Sequence, residues 1–431
     1  MTIGIIGLGY VGLTFAIAAA DKGITVYGVE KEQRIKQSLA DGHAHFFEPG
    51  LDEKIKACIG QKFFCVEEFP RDVQFDAFMI TVGTPLIGQT KKPNFTYIES
   101  SLEAFSDIYS GRELVILRST VSVGTSRNVV LPKLQEMAGG MGCAPMIAMC
   151  PERTVEGKAL VELTSLPQVI SGNSPQAVSS AQQLFARITP KVIEAQSLEE
   201  AELIKLYCNI YRDMNFALGN VLNVAAQTFG LDGISVIRNA NEGYARSNIA
   251  SPGFVAGPCL EKDAYILMNN MQEGKSKDFI SAARSFNESL EDDVVDWAEH
   301  KIGAPAQEKE LLLTGMAFKG VPETSDLRGS SSVYIARKLK EKGYKLRLHD
   351  FVARREELQA LNLGEVYEDL NEACEGIAGM MVLNNCSRYH TFHFTQAMED
   401  VRILDIWDCC DELREREERD TIGNMLIEEK I

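Results

Sequence analysis

Short apolar runs separated by helical periodicity organise the first part of this chain. Ile3 to Ile6 has no polar interruption, the pattern of a strand covered on both faces. Gly7-Leu-Gly-Tyr-Val-Gly12 follows, then the Ala-rich helical stretch Leu13 to Ala20, then a second strand from Ile24 that ends at Glu30. Asp76–Val82, Glu113–Arg118 and Pro145–Cys150 read as further strands, and His43 to Leu51, with Glu48-Pro-Gly50, as a loop. From Leu198 to about Phe229 the residues Leu203, Leu206, Ile210, Met214, Ala217, Val221 and Val224 recur at helical spacing and predict one long helix. Leu231–Gly243 and residues 264–300 predict more helix. The strand pattern then returns at Leu311–Ala317, Tyr344–Leu348, Gly379–Leu383 and Val401–Ile406, with a polar loop Phe318–Gly329 and a helix Ser330–Lys342 after the first of these. The charge-alternating tail Asp411–Asp420 reads as an exposed helix end. The expected fold class is α/β, with two Rossmann-like doubly wound domains joined by a long central helix and a helical domain, divided at 1–197, 198–303 and 304–431.

Composition narrows the function. The chain has 431 residues, enough for two or three domains, and its 45% hydrophobic and 24% charged content is that of a globular protein. A net charge of −17 without a long basic run argues against nucleic acid or an anionic membrane as partner, and no apolar run reaches spanning length. An anionic substrate would need local lysines and arginines. Ten cysteines without a Cys-x-x-Cys point to reduced thiols and a cytoplasmic location. Adjacent Cys409 and Cys410 read as incidental, and the pairs His43/His45 and His390/His393 as solvated loop residues, so no metal is expected.

Five places carry chemistry. Gly7, Gly9 and Gly12 between a strand and a helix, with Glu30 ending the next strand, form the dinucleotide fingerprint. Gly7 makes the turn, Gly9 admits the pyrophosphate, Gly12 lets helix pack on strand, and a carboxylate holding both ribose hydroxyls selects NAD. The strands at 76–82, 113–118 and 145–150 run into Thr84, Thr120 and Glu152, at the carboxyl ends where such sheets bind ligands; helix capping is the alternative reading. Lys205 and Asn209, four apart on a helix, can hold a developing oxyanion; the alternative is a surface pair of Lys205 with Glu202 or Glu199, and Cys208 between them reads as core. The Gly- and Pro-rich stretch Ser251 to Asp263 reads as an irregular loop that brings Cys259 beside Lys262 and Asp263, a thiol next to a cation and a carboxylate. A small buried hydrophobe is the alternative for Cys259. Lys319 and Arg328 are candidate anion contacts or solvated charges.

Taken together these motifs resemble the UDP-glucose/GDP-mannose dehydrogenase family over nearly the whole chain. The carriers are Gly7–Gly12, Glu48-Pro-Gly-Leu51, Ser119-Thr-Val121, Pro151-Glu-Arg153, Glu202-Leu-Ile-Lys-Leu-Tyr-Cys-Asn209, Gly253–Asp263, Ala317-Phe-Lys319 and Asp326-Leu-Arg328. The resemblance implies an NAD-dependent four-electron oxidation of a UDP-sugar C6 alcohol to a uronic acid, through a thiohemiacetal and a thioester on Cys259. It assigns catalysis to Cys259, Lys205, Asn209, Asp263, Thr120 and Glu152. It assigns the cofactor to Gly7, Gly9, Tyr10, Val11, Gly12, Glu30, Arg34, Thr84, Thr120, Lys262 and Arg328. The sugar nucleotide falls to Glu152, Lys205, Asn209, Arg246, Gly253, Phe254, Gly257, Phe318 and Lys319. It also implies a homodimer through the 198–229 helix and a role in polysaccharide or glycan precursor supply. Pro-Glu-Arg at 151–153, where UDP-glucose enzymes show Pro-Glu-Phe, is similar to the members that oxidise N-acetylhexosamines. Ala256-Gly257-Pro258 ahead of the cysteine and Pro322-Glu-Thr-Ser before Asp326 depart from the usual pattern and bear on sugar recognition. Two alternatives remain: a two-electron β-hydroxyacid dehydrogenase, which needs neither Cys259 nor a second α/β domain, and a non-catalytic nucleotide-binding protein.

Overall fold

The computed structural model describes the chain except residues 140–141, 306–309, 395–397, 399–400, 415–419 and 428–431. It divides into two compact units, Met1–Cys208 with Tyr265–Gln272, and Asn209–Ala264 with Glu273–Ile431.

The first unit is built on an eight-stranded sheet: β1 Thr2–Ile6, β2 Thr25–Val29, β3 Phe63–Val66, β4 Ala77–Ile80, β5 Leu114–Leu117, β6 Met146–Met149, β7 Gln168–Gly172 and β8 Val192–Glu194. The order is β8-β7-β6-β5-β4-β1-β2-β3, parallel except where β6 meets β7. Helix α1, Tyr10–Asp21, packs on one face with Leu13, Phe15 and Ile17 fully buried. The other face carries an aromatic layer in which Phe78 stacks on Phe105 at 4.4 Å. Both faces are covered, which is why β1, β4 and β5 read as unbroken apolar runs.

The second unit holds an all-parallel sheet of β9 Glu310–Thr314, β10 Lys345–His349, β11 Glu365–Tyr367, β12 Gly379–Val382 and β13 Arg402–Asp405, in the order β11-β10-β9-β12-β13. Strand β9 stops at Thr314, short of the expected Ala317, because Gly315 turns away with φ +83° and its N–H bonds to the His349 carbonyl at 3.0 Å. The strands β3, β7, β8 and β11 were not foreseen: β3 is an apolar run of only four residues, β7, β8 and β11 have mixed patterns, and β3, β8 and β11 are sheet edges.

Helix α2, Leu198–Gln227, is continuous and is where the expected long helix lies; the division between units falls inside it, after Cys208. Its buried side differs from the apolar stripe the spacing predicts. Leu206, Ile210 and Ala217 are buried, but so are Lys205, Asn209, Asp213, Asn220, Asn223 and Gln227, while Val221 is exposed. Several of them bond within the second unit: Asn220 donates to the Gly253 carbonyl at 3.0 Å, and Asn223 and Gln227 both donate to the Ile422 carbonyl at 2.9 Å. Cys208 is half-buried rather than core. Helices Gly233–Asn241, α3 Leu260–Met268 and α4 Lys275–Ile302 follow. Of the tail, Asp411–Arg414 forms one helical turn; residues 415–419 lie outside the described residues.

Candidate active site

The glycine turn of the first unit has the close geometry its sequence requires. Gly7 has φ +90°, and a Cβ on Gly12 would lie 1.9 Å from the Gly7 carbonyl oxygen and 2.6 Å from the Thr81 hydroxyl, so no larger residue fits there. A Cβ on Gly9 would meet nothing within 4 Å, which leaves the start of α1 open to a ligand backbone-first. Glu30 sits just past β2 and accepts N–H bonds from Leu8 at 3.2 Å, Lys31 at 2.7 Å and Glu32 at 3.0 Å, so its carboxylate is fixed beside the glycine turn. The turn, the open helix start and the fixed acid fit a dinucleotide carrying a free ribose diol. Arg34 is exposed, in helix Gln33–Ala40, and Val11 is half-buried. The Tyr10 hydroxyl does not face solvent. It bonds the Glu48 carboxylate, both groups accept the Gly157 N–H, at 3.0 and 2.8 Å, and burial with Glu48 pushes the phenol well up. This gives Glu48-Pro-Gly a task its sequence did not disclose: it anchors the first residue of α1 to the 151–158 segment.

At the carboxyl ends of the strands, Thr84 is buried and donates to the Thr120 carbonyl at 2.5 Å, tying the loops after β4 and β5 together. No helix starts at Thr84, so capping does not explain it. Glu152, 8% exposed, lies beyond β6; Arg118, at the end of β5 and 1% exposed, bonds its Oε2, and the Arg153 and Thr154 N–H groups reach its Oε1 at 2.7 Å each. Burial pushes Glu152 up, but Arg118, the Thr154 N–H and Lys205 outweigh it and hold the carboxyl below its usual range. The surface-pair reading of Lys205 fails. Lys205 is buried, Glu199 is taken by Arg127 at 2.5 Å, and Glu202 by the N–H groups of Gly124 and Ser126 at 2.5 and 2.7 Å.

In the second unit the loop is shorter than expected. It ends at Cys259, because α3 begins at Leu260, and Lys262 and Asp263 lie in the first turn of that helix. Acidic Glu261 and Asp263 suit a helix start, which explains the earlier onset. Cys259 caps the helix: its carbonyl accepts the Lys262 and Asp263 N–H groups at 3.2 and 3.0 Å, and the residue itself is exposed. Asp263 is 1% exposed and receives the Lys262 ammonium at 2.6 Å and the Asn209 amide at 2.6 Å. Burial pulls Lys262 down, yet Asp263 and the Cys259 thiol prevail and raise it. Gly257 has φ +97°, its N–H bonds the Gly329 carbonyl at 2.8 Å, and a Cβ there would lie 2.5 Å from the Phe318 ring. Phe254 is buried edge-on to Trp407 at 6.2 Å, and Gly253 lies flat beneath the same indole, where a Cβ would come within 2.3 Å.

The remaining candidates are more dispersed. The exposed Arg328 is held by Asp326, with Nε 2.9 Å from Oδ1; Lys319 lies 5.4 Å from the Phe318 ring, and Arg246 stacks over Tyr244 at 4.9 Å. A cavity of about 850 Å³ within this unit is lined by Ala256, Glu261, Arg284, Arg328, Ser330 and Arg337. His43, His390 and His393 each face a carboxylate. Asp405, Cys409 and Cys410 bring three ligand-type atoms within 4.8 Å, but they bond one another: Asp405 accepts the Cys410 N–H at 2.7 Å and the Cys409 thiol at 3.4 Å. Trp407 escaped the sequence reading, while Arg118 entered it only as the end of a strand and Glu48 only as part of a loop motif. The one available signal was Arg118 itself, a charge closing an otherwise apolar strand.

A nucleotide turn selecting NAD, and a second α/β unit with an exposed cysteine in its leading loop, define an NAD-dependent oxidoreductase. Residues 1–189, 199–289 and 312–412 match, in turn, the NAD binding, central and UDP binding domains of the UDP-glucose/GDP-mannose dehydrogenase family, and the chain belongs to that family. It is an NAD-dependent UDP-sugar dehydrogenase. Among curated relatives, a UDP-N-acetyl-D-mannosamine dehydrogenase of Pyrococcus horikoshii is 30% identical over 359 residues, covering 81% of this chain and 83% of its own. Another of the same name from Escherichia coli is 32% identical over 352 residues, covering 78% and 81%. A solved structure of the UDP-D-ManNAc dehydrogenase from Pyrococcus horikoshii superposes with a TM-score of 0.86 at 26% identity, covering 99% of this chain and 100% of that one.

Proposed function

We propose that the chain oxidises the C6 alcohol of a UDP-N-acetylhexosamine, UDP-N-acetyl-D-mannosamine foremost, to the uronic acid in a four-electron reaction on Cys259. The observation that carries this reading is the cluster of an exposed Cys259, a raised Lys262 ammonium and a buried Asp263 bonded to Asn209. Bound NAD would accept the hydride at each of the two oxidations. Between them the Cys259 sulfur adds to the C6 aldehyde, because a thiohemiacetal is a better hydride donor than the aldehyde. Loss of the second hydride leaves a thioester. Water breaks its C–S bond, placing oxygen on the sugar carbon and returning the proton to sulfur, so one alcohol and one water become one carboxylate. Lys205 and Asn209 hold the C6 oxygen as it gains charge, and Asp263, with Thr120, holds the attacking water. Gly253, Phe254, Gly257, Phe318 and Lys319 line the sugar nucleotide. Lys262 and Arg328 are assigned to the cofactor, with their carboxylate partners Asp263 and Asp326 to be exchanged or shared. The names of the relatives and the Pro-Glu-Arg motif support the N-acetylated sugar.

Three domains, at 1–197, 198–303 and 304–431, and a homodimer belong to the same reading. Tyr207, Tyr211, Leu218, Val221 and Leu222 form an exposed apolar stripe along α2, at the spacing of one helix face. Arg246 would reach the sugar nucleotide of the partner subunit. Among the described residues no helix is long and apolar enough to cross a membrane, and a cytoplasmic supply of glycan precursors is the proposed setting.

The test is NADH formed per sugar nucleotide consumed, with UDP-N-acetyl-D-mannosamine, UDP-N-acetylglucosamine, UDP-glucose and GDP-mannose. Two NADH per sugar are expected on the first, and Cys259→Ala should form no carboxylate. One NADH, or full carboxylate from Cys259→Ala, overturns the mechanism and returns the chain to a two-electron enzyme. Light scattering tests the dimer, with Leu218→Glu expected to give monomers.

A further inference from the structure

In the second unit Trp407 lays its ring against a backbone. It lies in the turn after β13, where the Asp408 N–H bonds the Asp405 carbonyl at 3.2 Å and the Cys410 N–H bonds the Asp405 carboxylate at 2.7 Å. Asp408, with φ +51°, accepts from Arg238 at 2.9 Å. The indole N–H donates to the Leu383 carbonyl, just past β12, at 2.9 Å, so the ring is tied across the neighbouring strands β12 and β13. Three carbons of its six-membered ring would lie 2.3, 2.4 and 2.8 Å from a Cβ on Gly253. The Phe254 ring stands edge-on to the indole, at 81°. The same glycine is held from α2: the Asn220 side chain accepts its N–H at 2.8 Å and donates to its carbonyl at 3.0 Å. Gly253 is therefore gripped at its N–H, its carbonyl and its Cα, and glycine is what lets the indole come so close. A cavity of about 390 Å³ lies beside the indole, lined also by Asn241, Ser251 and Pro252. Removing the ring would open Gly253 onto that space.

We propose that Trp407 is a positioning residue: its indole and the Asn220 amide form a vice on Gly253 that sets the path of the loop leading to Cys259. The segment from Asn248 to Ala256 has neither helix nor strand to hold it, and its glycine is free to rotate, so its path is set by what touches it. Arg284 of α4 holds the loop further on, through the Val255 and Leu260 carbonyls. At the start of the loop the restraint from the sheet is a flat, stiff ring, which has two side-chain torsions and is fixed at its N–H. Trp407 supplies neither a proton nor a charge. It acts through Gly253 and Phe254, which fix where the sugar carbon lies relative to the Cys259 sulfur. The inference rests on the sugar-nucleotide contacts given to Gly253 and Phe254 above.

The experiment compares the full-length wild type with Trp407→Ala, Trp407→Phe, Gly253→Ala and the double variant Trp407→Ala/Gly253→Ala. Two readouts are taken: kcat and KM with UDP-N-acetyl-D-mannosamine and NAD, and the rate at which iodoacetamide alkylates Cys259 without either, followed by mass spectrometry of its peptide. Trp407→Ala should lower kcat by about 10- to 100-fold, the loss expected when reacting groups are misplaced. It should raise KM for the sugar nucleotide about tenfold, with KM for NAD moved much less. A tryptophan that served stability alone would lower the amount of active enzyme and leave both KM values as they are, and that result overturns the proposal. Trp407→Phe keeps a flat ring and should recover part of kcat and KM; a Phe variant no better than Ala also overturns it. Gly253→Ala should change the alkylation rate of Cys259 about threefold more with Trp407 present than with Trp407→Ala, because its Cβ meets the indole only in the first case. The backbone strain at φ +154° is common to both backgrounds and cancels. Equal changes overturn the proposal. If Trp407→Ala does not fold, Trp407→Leu takes its place in both readouts, with the same expected directions. If no UDP-sugar is turned over by the wild type, the proposed function fails. The vice is then judged on the alkylation cycle alone, which needs no substrate.

Discussion

Two buried arginine–carboxylate pairs, one in each unit, show how the same chemistry is put to different ends. In the first unit Arg118 meets Glu152, and both carboxylate oxygens are occupied. In the second, Arg284 meets Asp213 at 2.8 Å, and Asn287 adds a bond to the same Oδ1 at 2.9 Å, while Oδ2 is buried without a partner. Burial drives the Asp213 carboxyl up despite Arg284, whereas Glu152 is held down. Arg284 also donates to the carbonyls of Leu260 and Val255, at 3.3 and 3.2 Å, on either side of Cys259. Arg284 is thus a structural tie that closes the cysteine loop onto α4, and Arg118 joins the end of β5 to the Cys150 carbonyl and Glu152 beyond β6. The difference lies in what surrounds the carboxylate: two backbone N–H groups and a lysine in one case, an unmet oxygen in the other.

The comparison can be broken by removing one arginine at a time. Arg284→Met strands Asp213 and frees two loop carbonyls, and should cost about 3–5 kcal/mol in denaturant unfolding. A loss under about 1 kcal/mol would deny it the structural role. Replacing a buried pair by apolar residues of similar size is neutral or stabilising by about 1–4 kcal/mol. Arg118→Met with Glu152→Leu should therefore keep or raise stability while turnover collapses, a split that a purely structural pair would not show. Asn287→Ala leaves Asp213 and Asn220 short of partners and should cost about 1–3 kcal/mol. The exposed pair Arg127–Glu199 sets the floor: Arg127→Ala should change stability by less than about 1 kcal/mol.

The pH dependence separates the pairs by sign. Glu152 is lowered on folding, so its contribution is present above the ordinary carboxyl range and is lost as pH falls through its depressed value. Asp213 is raised, so the folded state holds its proton longer, and the contribution present at low pH is lost as pH rises through the raised value. Relative to wild type, Glu152→Gln should thus be most destabilised near neutrality and converge with it in acid. Asp213→Asn should compare least favourably in acid. Thermal midpoints from pH 3 to 8 check both, and parallel curves would show that neither carboxyl changes its affinity for protons on folding.

What could be read in the chain was what depends on local spacing. The glycine turn, Glu30 and the central strands were legible because a strand covered on both faces must be apolar throughout, and a dinucleotide turn admits only glycine where backbones touch. The cysteine loop was legible as a Gly- and Pro-rich segment, but its end at Cys259 was not, since the early start of α3 depends on which acids face the helix N-terminus. Helix α2 was placed correctly in the sequence, yet its buried side was misread: hydrophobic spacing does not reveal asparagines that find partners hundreds of residues away, such as Asn223 at Ile422.

By itself, then, the sequence determined two α/β units, the cofactor's class and the cysteine as the reactive candidate, because each rests on contacts between near neighbours or on residue types that nothing else replaces. Only the tertiary structure decided which charges are paired. Lys262 with Asp263, Arg328 with Asp326, Glu48 with Tyr10 and Arg118 with Glu152 all present ordinary side chains in sequence. Whether each is a solvated charge, a tie or a clamp depends on burial and on the donors around it, and those are set by strand order and helix packing, which bring distant residues together.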